Sequence, residues 1–159
     1  KTKPYNFPEN IKYNPTQYSF NLNSSIFYPI YKNNIFHNTI NIYANFGEYL
    51  FSNEMQLIGG FNSLRGFEEN SIIASSFIIS SYEYKYILDK NSAFILFLNH
   101  CLYKNSQTKK TDHPLGFGLG ISLGTKVGLL NIFYALGKQM KNPILMRNAK
   151  IHIGISSYI

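Results

Sequence analysis

Four histidines, one cysteine, a spaced glycine run and one arginine-bearing loop are the parts of this chain whose residue types could support chemistry. His37, His100, His113 and His152 are scattered, with no His-x-x-x-His pair and no carboxylate at metal-ligand spacing. Triads assemble from residues distant in sequence, so order alone excludes none. Even so, no Gly-x-Ser-x-Gly turn and no pair of catalytic carboxylates nominates a nucleophile. Gly116-x-Gly118-x-Gly120 has the look of a dinucleotide turn, but no helical pattern follows it and Phe117, Leu119 and Ile121 alternate through it. It reads as glycine within a strand. Cys101 is single, which excludes an internal disulfide framework and a Cys-rich zinc site, and it reads as a small wall residue. The expectation is a protein that is not an enzyme and takes no metal and no cofactor. What remains is ionic: Arg65 in a long loop, and Glu83 two residues from Lys85 in an alternating segment. Left to themselves, these read as a solvated loop arginine and a same-face ion pair of small worth.

The elements around these residues are strands. The chain has 159 residues, enough for one ordinary domain, and is 45% hydrophobic but only 14% charged. Period-two alternation recurs in seven segments: from Tyr18 to Ile30, Ile40 to Phe46, Ile78 to Leu88, Leu96 to Tyr103, Phe117 to Leu123, Leu130 to Leu136 and Ile151 to Ile159. Short polar turns at Lys32–Asn34, Asp89–Ser92 and Gly124–Lys126 alternate with longer loops at Leu50–Ser71, Lys104–Leu115 and Lys138–Asn148. That rhythm is the one found in outer-membrane β-barrels, where strands of about 9–11 residues cross the bilayer at a tilt. One row of each strand is apolar and almost uncharged, with His100 its main polar interruption; the other is filled by Ser, Asn, Gly and Tyr. A soluble barrel or sandwich also alternates, but with shorter strands and a strongly charged outer face. The expected fold class is therefore all-β, an antiparallel transmembrane β-barrel. Seven strands cannot close one, because single-chain bacterial barrels have even numbers and an open edge in lipid leaves backbone groups unpaired. The chain, which begins at Lys1 without Met or a signal-peptide pattern, reads as a piece of something longer.

Against this background the segment Leu57-Ile-Gly-Gly-Phe-Asn-Ser-Leu-Arg-Gly-Phe67, in the longest loop and directly before a long strand, carries a resemblance. A Gly59-Gly60 pair, a short spacer and the tetrad Leu64-Arg65-Gly66-Phe67 resemble the signature loop of the BamA/TamA (bacterial surface antigen) family of outer-membrane assembly barrels. The downstream order is also similar: a strand with an inward Glu, here Glu83, a strand with a Phe-x-Asp-x-Gly pattern, a Gly-rich strand and two closing strands. The likeness runs from about Ile26 to Ile159. It implies the last seven strands of a sixteen-strand barrel, with residues 1–15 the remnant of an extracellular loop and residues 50–71 a loop inserted into the lumen. It further implies that Arg65 meets acidic residues on the inner wall, Glu83 among them; on the residues alone, Gly116, Gly118, Gly120 and Ser122 leave room beside the wall for an inserted loop. Two departures stand out. Asn99 replaces the family's Asp and Cys101 its Gly, so Arg65 would have one carboxylate and one neutral amide partner. The family usually ends on an aromatic, whereas Tyr158 is followed here by Ile159.

The function implied by the resemblance is assembly or translocation of other outer-membrane proteins in a Gram-negative outer membrane. The partners would be lipids, client outer-membrane proteins and periplasmic POTRA domains upstream in the same chain. The seam would involve the last strand, through Ile151, Ile153, Gly154, Ile155, Tyr158 and Ile159, where an incoming strand pairs edge to edge. Two other classes stay open on the residues alone: a passive porin or transport barrel, and a soluble all-β binding module. Nucleic acid is not expected despite a net charge of +7, because the lysines sit mostly in turns and loops rather than along one element.

Overall fold

Residues 16–47, 50–139 and 144–156 are described by a computed structural model. The first expected loop, Lys1–Pro15, lies outside the described residues, as do Lys141 and the terminal Tyr158 and Ile159. The described chain is all strand and turn. Ten strands occur: β1 (Tyr18–Tyr31), β2 (Asn34–Phe46), β3 (Gln56–Ile58), β4 (Ile72–Ala74), β5 (Ser76–Asp89), β6 (Ser92–Asn105), β7 (Lys110–Asp112), β8 (Leu115–Thr125), β9 (Gly128–Lys138) and β10 (Lys150–Ser156). The seven long ones form one antiparallel sheet in the order β1-β2-β5-β6-β8-β9-β10, and short β7 doubles back onto the end of β6. Among the described residues β1 and β10 each have one neighbour, so this sheet has two edges.

Several strands begin earlier than their apolar residues suggest. β2 starts at Asn34 rather than Ile40, and β6 at Ser92 rather than Leu96. The reason is register: Asn34, His37, Asn38 and Thr39 pair with β1 on one side and β5 on the other, so backbone hydrogen bonds carry the strand through polar side chains. The tight turns at 32–33, 90–91 and 126–127 all lie at one end of the sheet, and the long connections at the other. Lys32 adopts φ 38° in its turn, the left-handed value that a two-residue hairpin demands. Lys104, Lys110 and Lys138, expected in loops, stand at strand ends beside them.

Alternation sorts the sheet into two unlike faces. The open face carries Phe94, Leu96 and Leu98 of β6, Phe117, Leu119 and Ile121 of β8, and Ile151, Ile153 and Ile155 of β10. Leu96, Leu119 and Ile153 are 62%, 61% and 65% exposed. The opposite face is covered by the long loop between β2 and β5. That loop is more ordered than an unbroken loop over 50–71: it holds a 3₁₀ turn at Ser52–Glu54, and its β3 pairs with β4 as a separate two-stranded sheet. Ile58, Leu64 and Ile72 from the loop and β4 pack against Tyr43, Phe77, Ile79, Cys101 and Tyr103. Phe61 packs on a second group, Ile95, Phe97, Phe133 and Ala135. Both buried clusters thus lie between one face of the sheet and this loop. Leu64 is fully buried, worth about 1.5–3 kcal/mol relative to exposure.

Candidate functional site

The loop reaches the sheet through a turn built on glycine. Gly59 and Gly60 adopt φ +116° and +94°, a region closed to most side chains, and a Cβ on Gly60 would overlap the Glu69 carboxylate. Ser63 locks the turn, its Oγ accepting from the Gly59 N–H at 2.8 Å and donating to the Gly59 carbonyl at 3.0 Å. This buries Leu64 and drives the following Arg65 onto the sheet, where it is 6% exposed. Phe67 packs against the first core group.

Arg65 is held from four sides. Its Nη1 lies 2.7 Å from Glu83 Oε1 on β5, and its Nε donates to Asn99 Oδ1 on β6 at 3.2 Å. The guanidinium carbon sits 4.0 Å from the centroid of the Phe97 ring and 4.7 Å from that of Phe133. Planar delocalised charge suits such a slot between aromatic faces and a carboxylate, which an ammonium would fill poorly. Asn99 is 1% exposed and also donates from Nδ2 to Ser81 Oγ at 2.6 Å, so the neutral amide links the loop to β5. An open cavity of about 280 Å³ adjoins the pair, with Asn62, Ser63, Lys85 and Asn131 in its wall.

Glu83 serves more cations than Arg65 alone. Its Oε2 lies 3.0 Å from Lys85 Nζ and 2.9 Å from His37 Nδ1. His37 stacks on Phe27 with ring centroids 4.0 Å apart and meets Ser25 Oγ at 2.8 Å, which extends the network across β2 to β1. Both expected arrangements of Glu83 coexist: the ion pair with Lys85 and the contact with Arg65 use different carboxylate oxygens.

The glycines divide differently from expectation. A Cβ on Gly116 would overlap the Arg65 carbonyl oxygen, so this glycine does make room for the loop. Gly118 and Gly120 do not face the loop backbone; a Cβ there would meet Tyr134 and Phe97, or the Phe133 ring. They make room for the aromatic slot. The second glycine under the loop is Gly137, whose Cβ would strike the Gly66 carbonyl, while Gly66 itself has φ +96° and lies against Leu136.

Of the seam residues, Ile151, Ile153 and Ile155 stand on the open face of β10, and Gly154 on the covered face beneath the Phe61 ring. Tyr158 and Ile159 lie outside the described residues. The sequence reading missed His37, His152, Phe133 and Gly137. Extending the phase of Thr39 and Asn41 back to His37, and of Asn131 on to Gly137, would have put them on the covered face; Phe133 stands on the row of Asn131 as expected, but was given no contact with Arg65. His152 was placed on the row opposite the isoleucines but given no partner; its Nε2 accepts the Gly66 N–H at 3.1 Å.

Among the described residues no three or more His, Cys, Asp or Glu side chains gather as they would around a metal ion. No helix among them is long and apolar enough to cross a membrane. No family model and no curated protein matches the chain.

Proposed function

We propose that this chain is the C-terminal part of an outer-membrane β-barrel resembling BamA/TamA, which assembles or translocates other outer-membrane proteins. One observation carries the reading. The sheet has an open face of aliphatic and aromatic rows, interrupted by polar residues such as Asn38, Ser80 and His100 but with no Lys, Arg, Asp or Glu in mid-strand, and an opposite face that holds Arg65, Glu83, Lys85, His37 and His152. An apolar surface continuous over seven strands is far larger than a soluble monomer tolerates. It suits acyl chains, where one Arg or Lys costs about 2–4 kcal/mol at the midplane. The four longest strands have 13 or 14 residues, long enough to cross a bilayer at a tilt of about 45° with a turn or two of sequence to spare. Parity supports the reading as well. With seven antiparallel strands, β1 and β10 run the same way, so closure by antiparallel pairing needs an odd number of further strands. A sixteen-strand barrel would supply nine, and periplasmic POTRA domains would precede them.

The test has two stages on the intact protein. A fluorophore at position 96 or 98 (Leu96→Cys or Leu98→Cys, with Cys101→Ala) is quenched by nitroxide-bearing lipids if the open face meets the bilayer. Stable monomeric behaviour in water without detergent overturns the barrel and favours a soluble all-β module. With insertion established, proteoliposomes carrying the protein should speed the folding of an added, urea-unfolded outer-membrane protein. A steady open conductance with no such acceleration instead identifies a passive pore.

A further inference from the structure

We infer that residues 59–69 form a latch on the terminal strand β10, and that His152 is the catch that releases it at acidic pH. Each described residue of β10 on its covered face, up to Gly154, meets this loop. Lys150 Nζ lies 2.8 Å from Glu68 Oε1. His152 Nε2 accepts the Gly66 N–H at 3.1 Å. The absent Cβ of Gly154 leaves a space that the Phe61 ring fills. On its other side β10 has only β9 as a neighbour among the described residues. The loop is thus a second attachment for a strand that has seven described residues, Lys150–Ser156.

The middle contact is conditional on protonation. An imidazole accepts a hydrogen bond at Nε2 only in the neutral form with its proton on Nδ1; protonated, both nitrogens are donors. A proton at Nε2 would set two donors against each other and place a positive charge beside Arg65. The charged groups around the ring are Arg65 and Glu69 from the loop and Lys150 on its own strand. From β9 the facing residue is Phe133, which does not titrate. Protonation thus leaves the imidazolium with one counter-charge, Glu69, against two cations, and without the hydrogen bond from Gly66. Acidification therefore lifts the loop tip from β10 while Arg65 stays on Glu83. The contact itself stands on the geometry; its consequence, a freer edge for lateral opening, rests on the barrel reading above.

Hydrogen–deuterium exchange on the intact protein in lipid nanodiscs tests this, with protection factors corrected for the intrinsic pH dependence of amide exchange. Between pH 8 and pH 5.5, protection of 150–156 and of 61–68 should fall together by about tenfold, the worth of one hydrogen bond, while 76–105 is unchanged. His152→Gln, whose carbonyl accepts without titrating, should hold protection level across that range. Phe61→Ala should lower protection of 150–156 at every pH. Unchanged protection of 150–156 in the wild-type protein overturns the proposal, and so does a pH response that survives in His152→Gln. A protein found to live in water would overturn the barrel and leave this measurement interpretable.

Discussion

Removing the two partners of the Arg65–Glu83 pair should have unequal effects, and the inequality tests the geometry of the site. Glu83→Gln leaves the guanidinium of Arg65, 7% exposed, with one neutral amide and two aromatic faces. At an effective dielectric near 20, two charges about 4 Å apart interact by about 4 kcal/mol. Stranding one buried member of such a pair costs about 3–5 kcal/mol. Arg65→Met is different. Glu83 keeps Lys85 at 3.0 Å and His37 at 2.9 Å, the apolar replacement stays between Phe97 and Phe133, and the desolvation of the guanidinium is relieved. We expect about 1.5–3 kcal/mol for it, the worth of a lost hydrogen bond to a charged group. The double variant should resemble Arg65→Met alone, so the coupling energy equals the cost of Glu83→Gln, about 3–5 kcal/mol. Denaturant unfolding of the intact protein in detergent, followed by far-UV circular dichroism with unchanged m, measures all three. If Glu83→Gln costs no more than Arg65→Met, Arg65 is not the isolated cation described here and the reasoning fails.

Other outcomes follow from the same contacts. Gly116→Ala and Gly137→Ala each force a methyl against the backbone of Arg65 or Gly66; each should cost about 1–3 kcal/mol and raise protease cleavage within 59–69, visible by limited proteolysis. Leu98→Arg on the open face should reduce membrane insertion by about 2–4 kcal/mol, measured by partition into vesicles, whereas a water-facing surface would accept it without loss. The hydrogen bond from Lys150 holds the Glu68 carboxyl below its usual 4.5. A carboxylate with a lowered folded value contributes stability above that unfolded value and loses it as pH falls through the folded one, so Lys150→Met should matter at pH 7 and not at strongly acidic pH. Because Glu68 is exposed, about 1 M salt should erase that difference as well.

Much of the fold was legible because strand alternation needs only one kind of information, the side of the backbone on which each residue falls. Leu96, Leu98 and Leu102 against Phe97, Asn99 and Cys101 sorted correctly for that reason, and so did Glu83 on the row of Ser81. The strand ends were less legible. His37 and Asn38 are polar and give no hydrophobic signal, yet β1 and β5 on either side pair with them. The Arg65 contact with Glu83 was expected from the tetrad's resemblance. The aromatic slot was not, because Phe97 and Phe133 come from strands whose neighbours across the sheet cannot be read from spacing. His152 illustrates the remaining limit: a hydrogen bond to a backbone N–H 86 residues away leaves no trace in composition or period.

The loop's attachments differ in kind along the sheet, and the difference has a direction. Over β5 and β6 it is held by a buried arginine with a carboxylate, an amide and the Phe97 ring, contacts that solvent and salt barely reach. Over β9 it is held by the Phe133 ring, which meets both Arg65 and Phe61, and by shape, the Gly66 and Gly137 backbones lying against each other with no side chain between. Over β10 it relies on one exposed ion pair, one titratable acceptor and one ring over a glycine. Exposed pairs contribute at most about 1 kcal/mol, and the acceptor depends on pH. Strain applied to the assembly would therefore separate the loop from the terminal strand before it disturbed Arg65. An edge strand must be able to part from its neighbour if another strand is to pair there, and a uniform grip would resist that. On the barrel reading proposed above, this gradient, strong at the centre of the sheet and weak at β10, would let the loop keep its position while β10 parts from it.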